Sequence, residues 1–214
     1  MAVLSRIFGI IIIDLVLSGD NAVVIGMAAH RLPPRQRRAA ILIGGGAAIV
    51  LRIALTAIAA LLLKVSGLQL AGGILLIWIA FRLMAEEEQS RGGIKVAASM
   101  PEAIATILLA DVIMSTDNVL GVAAASNGDV TLLLLGLVLS MAILMFLGSL
   151  VADLVNRFWW LAYLGAAVIA WTGAVMAFDD PIVDQGGVIR YVAAATITIG
   201  TLAFAHWYHR VRST

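Results

Sequence analysis

Seven strongly apolar segments divide this chain, and each approaches the length that a helix needs to cross a lipid bilayer. A spanning helix requires about 20 apolar residues. Of the 214 residues, 62% are hydrophobic and only 13% are charged, which is more apolar surface than a soluble domain of this length could bury. The composition therefore predicts an all-α, polytopic membrane protein. The predicted spans are residues 7–29, 39–63, 67–84, 101–126, 130–152, 159–178 and 188–209.

Basic residues predict the orientation of these spans, because Lys and Arg accumulate in cytoplasmic loops. When the arginine-rich segment 31–38 is placed inside, the cytoplasmic segments collect ten basic residues and the outside segments collect three. We therefore expect seven transmembrane helices, with the N-terminus outside and the C-terminus in the cytoplasm. No cleaved signal peptide is expected, since no small-residue cleavage site follows the first apolar segment.

One acidic pattern occurs twice inside the apolar segments. The copies read Asp14-Leu-Val-Leu-Ser18-Gly-Asp20-Asn21 and Asp111-Val-Ile-Met-Ser115-Thr-Asp117-Asn118, ninety-seven positions apart. A charged Asp at the centre of a bilayer costs at least about 2.5 kcal/mol. Four such residues in a repeated arrangement predict a shared cation site.

The position of the second motif predicts an inverted repeat. It lies three spans after the first, and an odd number of spans reverses its direction through the membrane, as in many secondary transporters. The segment Gly72 to Trp78 also resembles Gly165 to Trp171. We therefore expect a 3+3 inverted repeat plus one extra helix in a single transport domain. The predicted bounds are 1–214 for the domain, about 7–84 for repeat 1, about 101–178 for repeat 2 and about 188–209 for the extra helix.

All donor atoms of the predicted site are oxygens, which suit hard divalent cations such as Mn²⁺, Ca²⁺ and Mg²⁺. Zero cysteines exclude thiolate ligands. For both carboxylates of one motif to reach one ion, the helix should loosen around Ser18-Gly19 or Ser115-Thr116. The predicted metal ligands are Asp14, Asp20, Asn21, Asp111, Asp117 and Asn118, supported by Ser18, Ser115 and Arg52. The structural alternative is that these acids only pair with amides, hydroxyls or one arginine to pack helices.

Arg52 is the only basic residue in the middle of a predicted span. Two roles are open. It is either a tethered counter-ion of the empty acidic site, which an entering cation displaces, or a packed donor to helix-end carbonyls.

On the two acidic motifs and the glycine–tryptophan helices at Gly72 and Gly165, the chain resembles the TerC family of integral membrane proteins, particularly its short YjbE-type members. The resemblance covers nearly the whole chain. It implies a multi-pass protein of the bacterial cytoplasmic (inner) membrane that transports metal ions, chiefly exporting manganese. It also implies that the motif aspartates and asparagines are the ion ligands.

Three functions are weighed. The first is a secondary transporter that exports a divalent cation, Mn²⁺ or Ca²⁺, by proton exchange, with no prosthetic group and no catalytic residue. The second is a membrane scaffold that binds metal and delivers it to exported proteins without transporting it. The third is an intramembrane aspartyl protease, for which four acids are more than the chemistry requires. The expected partners are the divalent ion and the lipid bilayer, with no nucleic acid, and a homo-oligomer is left open.

Overall fold

The protein is all-helical throughout the residues that the computed structural model describes, which are 2–62, 66–91, 99–125, 130–183 and 187–212. Within these ranges the side chains of residues 2–6, 57–62, 88–91, 116–125, 130, 209, 210 and 212 are not described. The helices are α1 (Ala2–Leu17), α2 (Gly19–Ala29), α3 (Pro34–Leu62), α4 (Leu68–Arg91), α5 (Met100–Ala125), α6 (Val130–Arg157), α7 (Leu161–Phe178) and α8 (Val188–Arg212).

The described helices confirm a multi-pass membrane protein. Five of them, α3, α4, α6, α7 and α8, are long and apolar enough to cross a bilayer, and the bent pair α1–α2 makes a sixth candidate. Helix α5 covers the predicted fourth span and is 26 residues long, but it is not among these six candidates. The count of seven spans and the orientation of the termini stay predictions.

Several helices extend beyond their predicted bounds, among them α3 and α4. Helix α3 begins at Pro34 rather than at residue 39, since proline fits the first turn of a helix, where its missing N–H is not needed. Helix α4 continues to Arg91, although the glutamates after Met84 were expected in a loop. Glutamate is a good helix former, and Arg82 pairs with Glu86 one turn later, with Nε 2.9 Å from Oε1.

The first acidic motif breaks its helix and the second does not. Helices α1 and α2 meet at Ser18 with a bend of 58°, whereas α5 continues through Ser115-Thr116. The loosening expected from the sequence therefore occurs at the first motif. Its physical reason is the residue after the serine, because Gly19 has a high conformational freedom that Thr116 lacks.

The chain divides into two compact units. The first comprises residues 1–65 and 100–152, in which α3 packs against α5, and both α1 and α2 also contact α5. Small residues permit close approach, since a side chain at Gly148 of α6 would overlap Ile25 of α2. This unit contains every described residue of the two acidic motifs. The prediction of a single transport domain stays a prediction.

The second unit comprises residues 66–99 and 153–214, in which α4, α7 and α8 pack together. Gly73 of α4 and Gly173 of α7 face each other, and a β-carbon at either one would overlap the backbone of the opposite helix. Met84, Ala166 and Ala205 form a buried apolar cluster, one residue from each helix. The three helices therefore meet through small or flexible side chains.

A buried carboxylate outside the spans joins α7 to the start of α4. Both oxygens of Asp180 accept from the Gly67 N–H, at 2.8 and 3.0 Å, and Oδ2 accepts from the Leu70 N–H at 3.1 Å. Gly67 has φ +89°, a backbone conformation that glycine tolerates well. Asp180 thus provides acceptors for orphan N–H groups of α4 and a negative charge at its N-terminus.

The same hydrogen bonds lower the pKa of Asp180. Burial favours the neutral acid, but several backbone N–H groups favour the carboxylate more strongly, so the pKa of Asp180 lies below its usual range. These donors belong to Ile182, Leu70, Gly67 and Gln69. Because the pKa is lowered in the folded protein, Asp180 stabilises the fold above the ordinary pKa of an aspartate, and this stabilisation is lost as the pH falls through the lowered value.

We expect Asp180→Ala to lower the thermal unfolding temperature of the detergent-solubilised protein at neutral pH, because the start of α4 loses its acceptors. The difference from the wild type should narrow as the pH is lowered below about 4, where the ordinary aspartate titrates. The matched control is Asp179→Ala, which breaks only the exposed ion pair with Arg190 and should change little. An equal decrease in the unfolding temperature at pH values above and below about 4 would contradict a role for the charged Asp180 carboxylate at the start of α4.

Candidate metal-binding site

Two carboxylates from the two motifs converge on one guanidinium in the first unit. Asp14 of α1 and Asp111 of α5 are 0% and 3% exposed, and Arg52 of α3 is 2% exposed. Arg52 Nη1 lies 2.9 Å from Asp14 Oδ1, and Arg52 Nη2 lies 2.5 Å from Asp111 Oδ1. Each of these charges would be costly to bury alone, so the three stabilise one another.

Asp14 also accepts hydrogen bonds from two hydroxyls. Ser18 Oγ donates to Asp14 Oδ1 at 3.3 Å, one helical turn along the motif. Ser140 Oγ of α6 donates to Asp14 Oδ2 at 2.6 Å. Arg52 Nη1 approaches the Ser18 hydroxyl as well, at 3.4 Å. Both oxygens of the Asp14 carboxylate are therefore held in place by donors from three helix segments.

Asp111 repeats part of this arrangement. Ser115 Oγ donates to Asp111 Oδ2 at 3.2 Å, as Ser18 does to Asp14. The same hydroxyl also contacts the Asp111 backbone carbonyl. In place of a serine from another helix, Asn21 of the first motif donates through Nδ2 to Asp111 Oδ1 at 3.2 Å. The two motifs are thus in direct contact through Asn21 and indirectly joined through Arg52.

The described bonds of the Arg52 guanidinium all go to side chains of the motifs, Asp14, Ser18 and Asp111. Its Nε is buried and has no partner among the described residues. The bonds described for it include none to a helix-end carbonyl. Of the two roles weighed for Arg52, this geometry matches the counter-ion.

The structure describes the side chains of only some of the other predicted ligands. Asn21 is 2% exposed, and its Oδ1 is buried without a hydrogen-bond partner in the described part of the chain. Asp20 is half-buried, with Oδ1 inside the protein. Asp117 and Asn118 lie in α5, but their side chains fall outside the described residues, so their part in the site stays a prediction.

A crevice beside Asn21 and Asp111, lined otherwise by apolar residues of α2 and α5, is too narrow to admit a water molecule. Within the described side chains, no three acids or histidines are grouped so as to hold a metal ion. A cation that binds both carboxylates would compete with the Arg52 guanidinium, which bonds to both of them.

Ser140 is a site residue that the sequence reasoning missed. It is 0% exposed and lies within the apolar run of α6, far from either motif in sequence. A single hydroxyl in the middle of an apolar span is the signal that could have identified it, since such groups bond across helices in membranes.

We expect Ser140→Ala to reduce the free energy of unfolding by about 1.5 to 3 kcal/mol, because a charge-assisted hydrogen bond to a buried carboxylate is lost. Equilibrium unfolding in detergent would measure this. Thr106→Ala is the matched control, since the Thr106 hydroxyl bonds only the Glu102 carbonyl of its own helix. Equal, small losses for both variants would contradict a role for Ser140 in holding Asp14.

Comparison with known proteins agrees with this architecture. Residues 2–213 match the family described as "Integral membrane protein TerC family". The "Uncharacterized membrane protein YjbE" of Bacillus subtilis (strain 168) is 42% identical over 168 residues, covering 78% of this chain and 77% of the relative. The "UPF0053 inner membrane protein YgdQ" of Escherichia coli (strain K12) is 27% identical over 163 residues, covering 68% of each chain.

A third relative, the "Uncharacterized membrane protein YceF" of Bacillus subtilis (strain 168), is 25% identical over 202 residues, covering 89% of this chain and 78% of the relative. No solved structure matches the chain. The match over nearly the whole length is decisive for the family, and this chain belongs to the integral membrane protein TerC family.

Proposed function

We propose that this protein is a secondary transporter that exports a divalent metal cation, Mn²⁺ first among the candidates, through the site around Asp14 and Asp111. The observation that carries the proposal is the convergence of two buried carboxylates, from two different helices, on one guanidinium. Carboxylate, amide and hydroxyl oxygens are the donors that hard divalent cations prefer. Membership of the TerC family supports a metal-related role.

The counter-ion has a defined part in this proposal. With Arg52 in place, the charges of Asp14, Asp111 and the guanidinium sum to one negative charge. A divalent ion that replaces the guanidinium neutralises both carboxylates. The unpartnered oxygen of Asn21 then offers a further ligand without breaking another bond. Arg52 thus stabilises the empty site and competes with the cation for it.

We also propose that the chain has seven spans, related by a 3+3 inverted repeat with α8 as the extra helix, and a cytoplasmic C-terminus. The matched Asp–Ser bonds in the two motifs support the repeat. A bacterial inner-membrane location is supported by the printed name of the relative YgdQ.

The geometry favours transport over proteolysis. An aspartyl protease needs two carboxylates that share a proton between them. Here a guanidinium lies between Asp14 and Asp111 and bonds to both. This arrangement argues against proteolysis by these two acids, and we propose a non-enzymatic role with no prosthetic group. The scaffold hypothesis uses the same ligands as the transporter, so a flux measurement must separate the two.

The flux experiment uses purified protein in lipid vesicles that contain a manganese-quenched dye. We expect Mn²⁺ to enter protein-containing vesicles faster than empty ones, and Asp14→Asn or Asp111→Asn to slow this by about tenfold or more, as loss of a metal-site group does. Repeating the assay with an imposed pH gradient tests proton exchange as the coupling. Calcium and magnesium measure selectivity.

The control variant for the flux experiment is Asp179→Asn, an acid outside the site that pairs with Arg190. It should transport at the wild-type rate. Metal binding by the wild type without any flux would reject the transporter and support the scaffold. Unchanged flux in both site variants, at equal amounts of inserted protein, would reject the site.

A second prediction concerns Arg52. Arg52→Met leaves two buried carboxylates without their shared cation, and breaking such a group costs about 3 to 5 kcal/mol of unfolding free energy. We expect Mn²⁺ to restore the melting temperature of this variant, and to raise it by more than in the wild type, where the ion competes with the guanidinium. Thermal unfolding in detergent, with and without Mn²⁺, measures both effects.

Arg82→Met is the matched control, because Arg82 belongs to the second unit and pairs with the half-buried Glu86. Its melting temperature should respond to Mn²⁺ as the wild type does. If Arg52→Met is too unstable to purify, Arg52→Lys keeps the charge and should respond like the wild type. An Mn²⁺ response that is no larger in Arg52→Met than in Arg82→Met would contradict competition for the site.

A further inference from the structure

An open groove runs between α3 and α6 in the first unit, separate from the acidic site. Its volume is about 390 Å³. The residues that line it are Arg38, Ile41 and Leu42 of α3 and Ala142, Met145, Phe146 and Ser149 of α6. All but two of these are apolar, and none is acidic.

The helical register explains the groove. Its residues stand at positions i, i+3 and i+4 on α3 and at i, i+3, i+4 and i+7 on α6, so each helix contributes one continuous face. The helices are antiparallel here, since Met145 lies against Gly45 and Met141 packs with Ala48. They meet at these contacts, and the groove extends from there towards the start of α3.

The outer walls of the groove are exposed apolar side chains. Leu42 and Phe146 are 64% and 70% exposed. In a membrane protein such surfaces face lipid tails rather than water. From Ala142 to Ser149, α6 rises about 10 Å at 1.5 Å per residue, which is a large part of one leaflet of a bilayer about 30 Å thick in hydrocarbon.

The positively charged side chain of Arg38 lies at one end of this apolar groove. Arg38 is exposed and sits about one turn inside the start of α3, in a segment that also contains Arg35 and Arg37. Arg37 donates to the backbone carbonyls of His30 and Leu32. By contrast, neither Arg38 nor Ser149 has a hydrogen-bond or ion-pair partner in the described part of the chain.

We propose that this groove is a binding site for an anionic phospholipid. One acyl chain lies along the apolar faces of α3 and α6, and the headgroup phosphate binds the Arg38 guanidinium and the Ser149 hydroxyl. The occupant is indicated by charge complementarity, because an unpaired arginine at headgroup depth, beside an acid-free apolar groove, matches an anionic lipid better than a zwitterionic one. This site does not depend on the proposed transport function.

Native mass spectrometry of the purified protein tests the proposal. The full chain is released from mild detergent after titration with phosphatidylglycerol or phosphatidylcholine. We expect tighter binding of phosphatidylglycerol, and about fivefold weaker binding of it to Arg38→Gln, since a basic group near a membrane surface contributes about 1 kcal/mol. Ala142→Phe, which fills the groove, should weaken binding of both lipids.

Arg35→Gln is the matched control, because it removes the same charge from the same segment but does not line the groove. It should bind phosphatidylglycerol like the wild type. Inorganic phosphate separates a lipid site from a free-anion site, and it should not displace the lipid. Equal binding of both lipids, an equal loss in Arg35→Gln and Arg38→Gln, or displacement by phosphate would each overturn the proposal.

Discussion

The contact of Arg52 with Asp14 and Asp111 is the interaction on which the first unit depends. It joins α1, α3 and α5, and all three side chains are almost fully buried. Removing Arg52 leaves two buried carboxylates without a cation, which is costly, whereas removing one carboxylate leaves the other paired with Arg52. An apolar contact would pack the helices equally well, but it would not provide two carboxylates that can bind a cation. On the proposed function, these three buried charges serve ion binding and not helix packing alone.

The same acidic pattern produces two different local structures because of one residue. After Ser18 comes glycine, and the helix breaks there, which lets Asp14 remain on α1 while Asn21 turns towards Asp111 from α2. After Ser115 comes threonine, and α5 continues as one helix. The broken helix therefore contributes Asp14 and Asn21 from two helix segments, and the continuous helix contributes Asp111. Broken helices within a membrane are tolerated where their backbone is buried in protein or lines a cavity.

The sequence predicted most helices and the convergence of two acids, but not the detail of their partners. Apolar length identified each segment, since a spanning helix has to be continuous and apolar. It failed at the end of α4, where Glu86 continues the helix through a pair with Arg82 that hydropathy does not register. The role of Arg52 could not be chosen, because both roles place a buried base in a span. Ser140 was missed because its partner lies 126 positions away in the sequence, and only the packing of α6 against α1 brings them together.

On the proposed function, the charge of the site affects the step in which the transporter returns without its metal ion. Two buried carboxylates that had just released a divalent ion would carry two uncompensated negative charges, and their desolvation would hold the protein in its metal-bound form. The Arg52 guanidinium reduces that to one. Because the guanidinium belongs to a side chain of α3, it offsets one of the two charges of the empty site and stays in the protein, whereas the metal ion leaves. On this proposal the same residue lowers the affinity for the ion and permits the return step, so the two properties cannot be changed independently by substitution at position 52.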